Sequence, residues 1–154
     1  MQQAPLTFYN SISRSLERFE PIDSGKGVRV YSCGPTVYSD PHLGNLRAYV
    51  FTDTLSRVLR WKGYALTHVL NITDVGHLTS DADAGDDKME AAAKARAMSA
   101  WDIAAHYTAV FRRNLADLNI RTPDHMPTAT SCIDEMLDFA KKIAPEHCYE
   151  IDSG

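Results

Sequence analysis

Two side chains nine residues apart, Cys33 and His42, have the chemistry on which the rest of this sequence can be arranged. A cysteine thiolate is a nucleophile and a soft metal ligand. An imidazole can hand a hydrogen bond or a proton to an oxyanion. Between them lie Gly34-Pro35-Thr36-Val37-Tyr38-Ser39-Asp40-Pro41, and after His42 come Leu43-Gly44-Asn45. Pro35 and Pro41 fix φ and bias the residues before them toward extended backbone, so this loop has few shapes available. Gly44 lacks a Cβ and permits close approach of a ligand or of backbone. A helix opening there would present unpaired N–H groups and positive partial charge, which suit phosphate. The pattern is that of an anion site beside a thiol.

The flanking segments supply the scaffold. Val28–Tyr31 reads as a short parallel strand, and a helix opening near Gly44 is predicted over Leu46 to Trp61. Its apolar residues Leu46, Val50, Phe51, Leu55, Val58 and Leu59 recur at three and four, giving one buried stripe. Gly63 ends the helix and Ala65–Ile72 forms a second strand, so the unit is a right-handed βαβ with its loops at one sheet edge. Ahead of it, Leu6–Tyr9 and Leu16–Phe19 read as a hairpin, followed by a turn-rich loop from Pro21 to Gly27. Thr79–Asp87 reads as a solvated acidic loop. It begins like a calcium loop at Asp81 and Asp83 but lacks the required Gly at Asp86 and Glu at Ala92. From Lys88 the chain is read as largely helical. Ser99 and Asp102 resemble a capping box, with Trp101, Ala104, Thr108, Phe111, Leu115 and Leu118 as the core stripe that follows. A last helix is expected over Ala129–Ala144, with Ile133, Met136, Leu137, Ala140 and Ile143 inward and Pro145 as its stop. Cys148–Ile151 then reads as a strand and Asp152-Ser153-Gly154 as a hairpin turn. A chain stopping on that turn is the expected mark of a piece of something longer.

Composition narrows the class. The chain has 154 residues, enough for one hydrophobic core, with 44% hydrophobic and 23% charged residues, so neither a disordered nor a fibrous class fits. No apolar run has the length of a membrane helix, and Met1–Pro5 lacks the basic and apolar regions of a signal peptide. Three cysteines without framework spacing fit reduced thiols in a cytoplasm. The net charge is -4, unevenly spread: residues 1–64 hold eight Lys/Arg against five Asp/Glu, and residues 65–154 eight against fifteen. This excludes a free-standing basic nucleic-acid binder, while the small positive excess of the first half fits either a polyphosphate near His42 or an ordinary solvated surface.

Taken together, Tyr31-Ser32-Cys33-Gly34-Pro35-Thr36-Val37-Tyr38, His42-Leu43-Gly44-Asn45, Gly63-Tyr64 and Asn71-Ile72-Thr73-Asp74-Val75 resemble the start of cysteinyl-tRNA synthetase, a class I aminoacyl-tRNA synthetase. His42-Leu43-Gly44-Asn45 stands where that family has His-Ile-Gly-His. Asp117–Arg121 and Pro127–Thr130 also look like family segments. The resemblance implies an α/β, Rossmann-like parallel sheet half-domain followed by a mainly helical start of the connective insertion. Its divisions fall at 1–27 for the N-terminal hairpin and lead-in, 28–122 for the first half of the nucleotide-binding domain with its helical extension, and 123–154 for the start of the insertion.

The implied activity is ATP-dependent conversion of cysteine to cysteinyl adenylate, followed by transfer to tRNA(Cys). By resemblance, His42 and Asn45 are catalytic, and Thr36, His42, Gly44 and Asn45 bind ATP, which enters with magnesium. Cys33, Gly34, Thr36 and Thr73 bind cysteine. Thr36 and Thr73 also fit a simpler role in local backbone hydrogen bonding. Asn45 replaces the second histidine; an amide still donates a hydrogen bond but carries no transferable proton. Asp74 either orients the substrate ammonium or caps a turn. The family also implies zinc, with Cys33 as one ligand and a softness-based preference for cysteine over serine. The remaining ligands are not supplied by Cys132, Cys148, His125 or His147, which have no recognised metal spacing, so the site is incomplete. The family's Lys-Met-Ser-Lys-Ser motif is absent, and Arg96-Ala97-Met98-Ser99 only echoes it. These 154 residues are therefore expected to be inactive alone, monomeric and cytoplasmic, meeting tRNA only within a larger enzyme. Two other readings fit the same residues: a mycothiol-type cysteine ligase, and a non-catalytic nucleotide-binding remnant.

Overall fold

The computed structural model describes residues 5–23, 25–75 and 98–149. The acidic segment Thr79–Asp87, the helical start from Lys88, Arg96 and Ala97, and the end from Glu150 lie outside the described residues. Strands β1 (Thr7–Asn10) and β2 (Ser15–Arg18) pair antiparallel, Thr7 opposite Arg18 and Asn10 opposite Ser15. They are the predicted hairpin displaced by one residue. Phe19 N–H still bonds Leu6 C=O at 2.8 Å, so the pairing runs one step beyond the strands. Phe19 meets Phe8 edge-on within the hairpin and Tyr64 edge-on outside it, both at 5.4 Å, and the second contact fastens the hairpin to the main body.

Strand β3 (Val28–Ser32) and strand β4 (Leu66–Leu70) are parallel, Val28 opposite Leu66 and Ser32 opposite Leu70. Helix α1 (Leu43–Trp61) connects them, which gives the expected strand–helix–strand unit. The helix ends as Gly63 requires. At φ +87° Gly63 takes a left-handed turn, its N–H bonds Arg60 C=O, and Tyr64 N–H bonds Leu59 C=O. This is a Schellman closure, completed by the packing of Tyr64 against the cluster that contains Leu59. On the far side of β4, His125 and Thr128 form parallel bridges to Val69 and Ile72. Residues 125–128 thus lie in the sheet as a third parallel element, with β4 in the middle.

Alternation along β4 turns Leu66, His68 and Leu70 inward. Helix α2 (Ala100–Asp117) packs there with α1. Tyr49, Leu70, Phe111 and Leu115 form one cluster, and Val37, Ile72, Ile103, Ala104 and Tyr107 another. Ser99 caps α2 by accepting Asp102 N–H at 3.1 Å. The Asp102 carboxylate returns to the Ser99 hydroxyl rather than to its backbone N–H, so the predicted box is half made.

Three stripe predictions need correcting. On α1 the buried positions are Tyr49, Asp53, Ser56 and Leu59, whereas Val50 and Phe51 are exposed. Asp53 sits inside because it is bonded there to Arg57 Nε at 2.6 Å and Arg121 N–H at 3.1 Å, whereas Ser56 is buried with its hydroxyl unpartnered among the described residues. On α2 Trp101 and Leu118 are exposed and the buried line runs through Ile103 and Tyr107. That line keeps a three-and-four spacing of its own, so periodicity alone did not choose between the two faces. Finally, Thr130–Cys132 is a 3-10 turn and helix α3 spans Ile133–His147, passing through Pro145 instead of stopping at it. Pro145 sits in the last turn, where its missing N–H removes only one bond near the helix end. Ile133, Met136, Leu137 and Ala140 are exposed and Ile143 is half-buried, because no described element packs over that face. Cys148 and Tyr149 are not in a strand.

Candidate active site

The loop that carries Cys33 is held by Asn71, at the end of β4. Asn71 Oδ1 accepts both Gly34 N–H, at 3.0 Å, and the Tyr31 hydroxyl, at 3.1 Å, while its Nδ2 donates to Thr73 Oγ1 at 3.2 Å. Gly34 is pressed against the same strand end. A Cβ on it would lie 1.5 Å from Asn71 O and 2.7 Å from Leu70 Cδ2, so no other residue fits. The chain then pairs with the continuation of β4: Thr36 bridges Thr73, Thr73 N–H bonds Pro35 C=O at 2.9 Å, and Val37 N–H bonds Thr73 C=O at 3.1 Å. Val37, 1% exposed, anchors this turn in the core. The two threonines named from sequence are thereby neighbours at the C-terminal edge of the parallel strands, where open α/β sheets bind ligands. Asp74 is engaged elsewhere. Its Oδ1 accepts Thr130 N–H at 3.0 Å and its Oδ2 accepts the Thr130 hydroxyl, so it caps the turn before α3.

His42 is the N-cap of α1. Its Nδ1 accepts Asn45 N–H at 3.3 Å, and Asn45 Oδ1 accepts His42 N–H at 3.2 Å, a reciprocal capping box. The helix therefore opens at Leu43, three residues ahead of the predicted Leu46. A ring nitrogen that accepts from an amide carries no proton, which leaves the His42 proton on Nε2. Gly44 serves this cap directly: a Cβ there would lie 3.0 Å from His42 Cε1 and 3.1 Å from Nδ1. The space its missing side chain leaves is used by the imidazole.

Gly34, Thr36, Asp40, His42, Asn45 and Tyr49 border a cleft of about 260 Å³ between the loop and the first turns of α1. Cys33 is exposed, one residue from this lining, with its sulfur 3.7 Å from Gly34 O. Tyr49 is only 6% exposed. Burial first, and the charge of Cys33 second, push its phenol up to about 12, so it stays protonated and lies within electrostatic reach of the thiol. Behind Cys33, Ser32 Oγ and His68 Nε2 are 2.8 Å apart across the strands. Burial chiefly depresses the His68 pKa, with Arg60 adding to this and Asp124 and Asp53 opposing it. Asp124 accepts His68 N–H at 2.7 Å and pairs with Arg60 at 3.2 Å, and that backbone bond is the main cause of its lowered pKa. The carboxylate meets the backbone of His68 rather than its ring, so Ser32, His68 and Asp124 do not form a nucleophilic triad.

A structural zinc needs four donors and a catalytic one three from protein. No group of three or more His, Cys, Asp or Glu side chains is placed to share an ion among the described residues. They do not by themselves fit zinc at Cys33.

Of the residues named from sequence, Gly34, Thr36, His42 and Asn45 meet in one cleft. Cys33 stands at its margin, Gly44 under the imidazole and Thr73 behind Thr36. Two structural participants were not singled out: Asn71, quoted only as part of a motif, and Tyr49, three and four residues from positions on the same helix face as Asn45.

Residues 18–154 match the family model described as tRNA synthetases class I (C) catalytic domain. Among curated relatives, the cysteine--tRNA ligase of Novosphingobium aromaticivorans is 58% identical over 151 residues, covering 98% of this chain and 30% of that protein. That of Zymomonas mobilis is 57% identical over 152 residues, covering 98% and 29%. That of Treponema pallidum is 50% identical over 145 residues, covering 94% and 28%. The chain spans about 30% of the length of the curated relatives it matches.

Proposed function

The chain belongs to the family of class I (C) tRNA synthetase catalytic domains, and on that premise we propose that it forms the N-terminal part of a cysteine--tRNA ligase, holding ATP and cysteine for adenylate formation. The observation that carries this reading is the reciprocal cap of His42 and Asn45 beside the cleft at the C-terminal edge of the parallel strands. With Nδ1 and Oδ1 used internally, both side chains present only donors, His42 Nε2–H and Asn45 Nδ2–H. They stand at the positive end of α1, a setting that favours phosphate oxygens.

In the reaction, a carboxylate oxygen of cysteine attacks the α-phosphorus of ATP and the bond to pyrophosphate breaks. The terminal ribose of tRNA(Cys) then takes the cysteinyl group and AMP leaves. His42 and Asn45 stabilise the charge on the phosphate oxygens. Gly44 keeps the imidazole seated, and Thr36 with Thr73 shapes the amino-acid side. Cys33 is proposed as one metal ligand, with its zinc partners supplied from outside the described residues, and magnesium accompanies ATP. The start of the insertion is best placed after Thr128, since residues 125–128 pair with β4. A monomer working in the cytoplasm completes the reading. No helix among the described residues is long and apolar enough to cross a membrane.

The test is a titration of this chain with MgATP, followed by thermal melting. ATP is expected to raise Tm, and His42→Ala to abolish the rise. Cysteine-dependent exchange of pyrophosphate into ATP is expected to be absent, because the sequence lacks the cationic Lys-Met-Ser-Lys-Ser motif. No response of the unsubstituted chain to ATP would overturn the reading.

A further inference from the structure

Tyr49 is a tyrosine where the packing asks only for a phenylalanine. Its ring is fixed in the core, 5.0 Å from Phe111 in an edge-on contact and clustered with Leu70 and Leu115. The residue is 6% exposed and borders the cleft; its hydroxyl has no hydrogen-bond partner among the described residues, yet it is not one of the fully enclosed unpartnered atoms, so the oxygen opens on the cleft. A hydroxyl carried on a ring fixed in the core, and left without a protein partner where it meets the cleft, is available to a ligand in a way the phenylalanine would not be.

The residue lies seven positions after His42 and four after Asn45, so all three are set along one face of α1. The reciprocal cap occupies the acceptor atoms of the first two, leaving His42 Nε2–H and Asn45 Nδ2–H. The Tyr49 O–H extends this row of donors into the base of the cleft. Asp40, exposed, is the one carboxylate among the residues lining it.

We infer that the Tyr49 hydroxyl is a ligand-binding donor of this cleft and holds an oxyanion of the bound substrate. The inference rests on the proposed function and adds a third side chain to the site. Two sources share the chemistry: a phosphate of the nucleotide, and the carboxyl-derived oxygens of the amino acid.

The experiment measures binding of MgATP and of the non-hydrolysable 5'-O-(cysteinylsulfamoyl)adenosine to the unsubstituted chain, Tyr49→Phe and His42→Ala. Ligand-free melting checks that each variant is folded. Tyr49→Phe is expected to melt close to the unsubstituted chain and to lose at least about tenfold in affinity, the value of a hydrogen bond to a charged group. A loss toward both ligands assigns the oxyanion to phosphate; a loss toward the sulfamoyl compound alone assigns it to the amino-acid end. Site-specific 3-fluorotyrosine at position 49 should shift its 19F resonance on addition of the same ligand. Binding weakened by His42→Ala but unchanged in Tyr49→Phe, with an unmoved resonance, would overturn the inference and leave the proposed function standing. Failure of the unsubstituted chain to bind either ligand would overturn both.

Discussion

Replacing Gly34 with alanine tests the geometry of the site most directly. The sign is informative. At an unstrained position, Gly→Ala stabilises a protein by about 0.4–1 kcal/mol through the unfolded chain. At Gly34 the added Cβ would stand 1.5 Å from Asn71 O and 2.8 Å from Asn71 C, both backbone atoms that cannot rotate away. Relief requires the loop to lift off the end of β4. Three bonds are then at risk: Gly34 N–H to Asn71 Oδ1 at 3.0 Å, Thr73 N–H to Pro35 C=O at 2.9 Å, and Val37 N–H to Thr73 C=O at 3.1 Å. At roughly 1 kcal/mol each, their loss comes to about 3 kcal/mol, within the usual range for a disrupted, well-packed site. For a chain of this size, that corresponds to a fall in Tm of roughly 6–12 °C. Urea denaturation and thermal melting of the purified variant supply the measurement. A Gly34→Ala chain as stable as the parent, or more so, would refute the packing of this loop against β4 and the cleft derived from it.

Two further predictions concern the frame around the site. Burial lowers the pKa of His68, so the unfolded chain takes up that proton first as the pH falls. The stability it contributes is whole above the unfolded value of 6.5 and is lost on going down through the lower folded value. Tm should therefore fall as the pH is lowered from neutrality toward 5, and His68→Gln should flatten that slope; an equal slope in the variant would remove His68 as its cause. Asp53, 9% exposed, joins α1 to the segment after α2 through Arg57 Nε and Arg121 N–H. Asp53→Ala leaves both donors without their acceptor and should cost about 2–3 kcal/mol by urea denaturation, whereas a change below about 0.5 kcal/mol would place it with ordinary surface substitutions.

By itself the sequence determined what depends on local chemistry and short-range order. Gly63 stops α1 because only a residue free to take positive φ closes that turn without strain. Two apolar runs on either side of a helical stretch give parallel strands, since a helix of that length returns the chain to the same sheet edge. The order of the Cys33, His42 and Asn71 motifs disclosed the family for the same reason: each is a continuous stretch of chain. The tertiary structure decided what depends on partners distant in sequence. Val50 and Phe51 have the right spacing for a core stripe, yet Asp53 is inside, because Arg57 and the Arg121 amide compensate the carboxylate there. Trp101 yields to Ile103 and Tyr107 on the same ground: the helix rotates to suit what β4 and the loop at Val37 present. Asp74, open to two roles in the sequence, is assigned by Thr130, a residue 56 positions away. The site follows this division. His42 and Asn45 were legible as types, but that each uses up the other's acceptor, so that this pair meets the cleft with donors alone, is a property of the folded helix end.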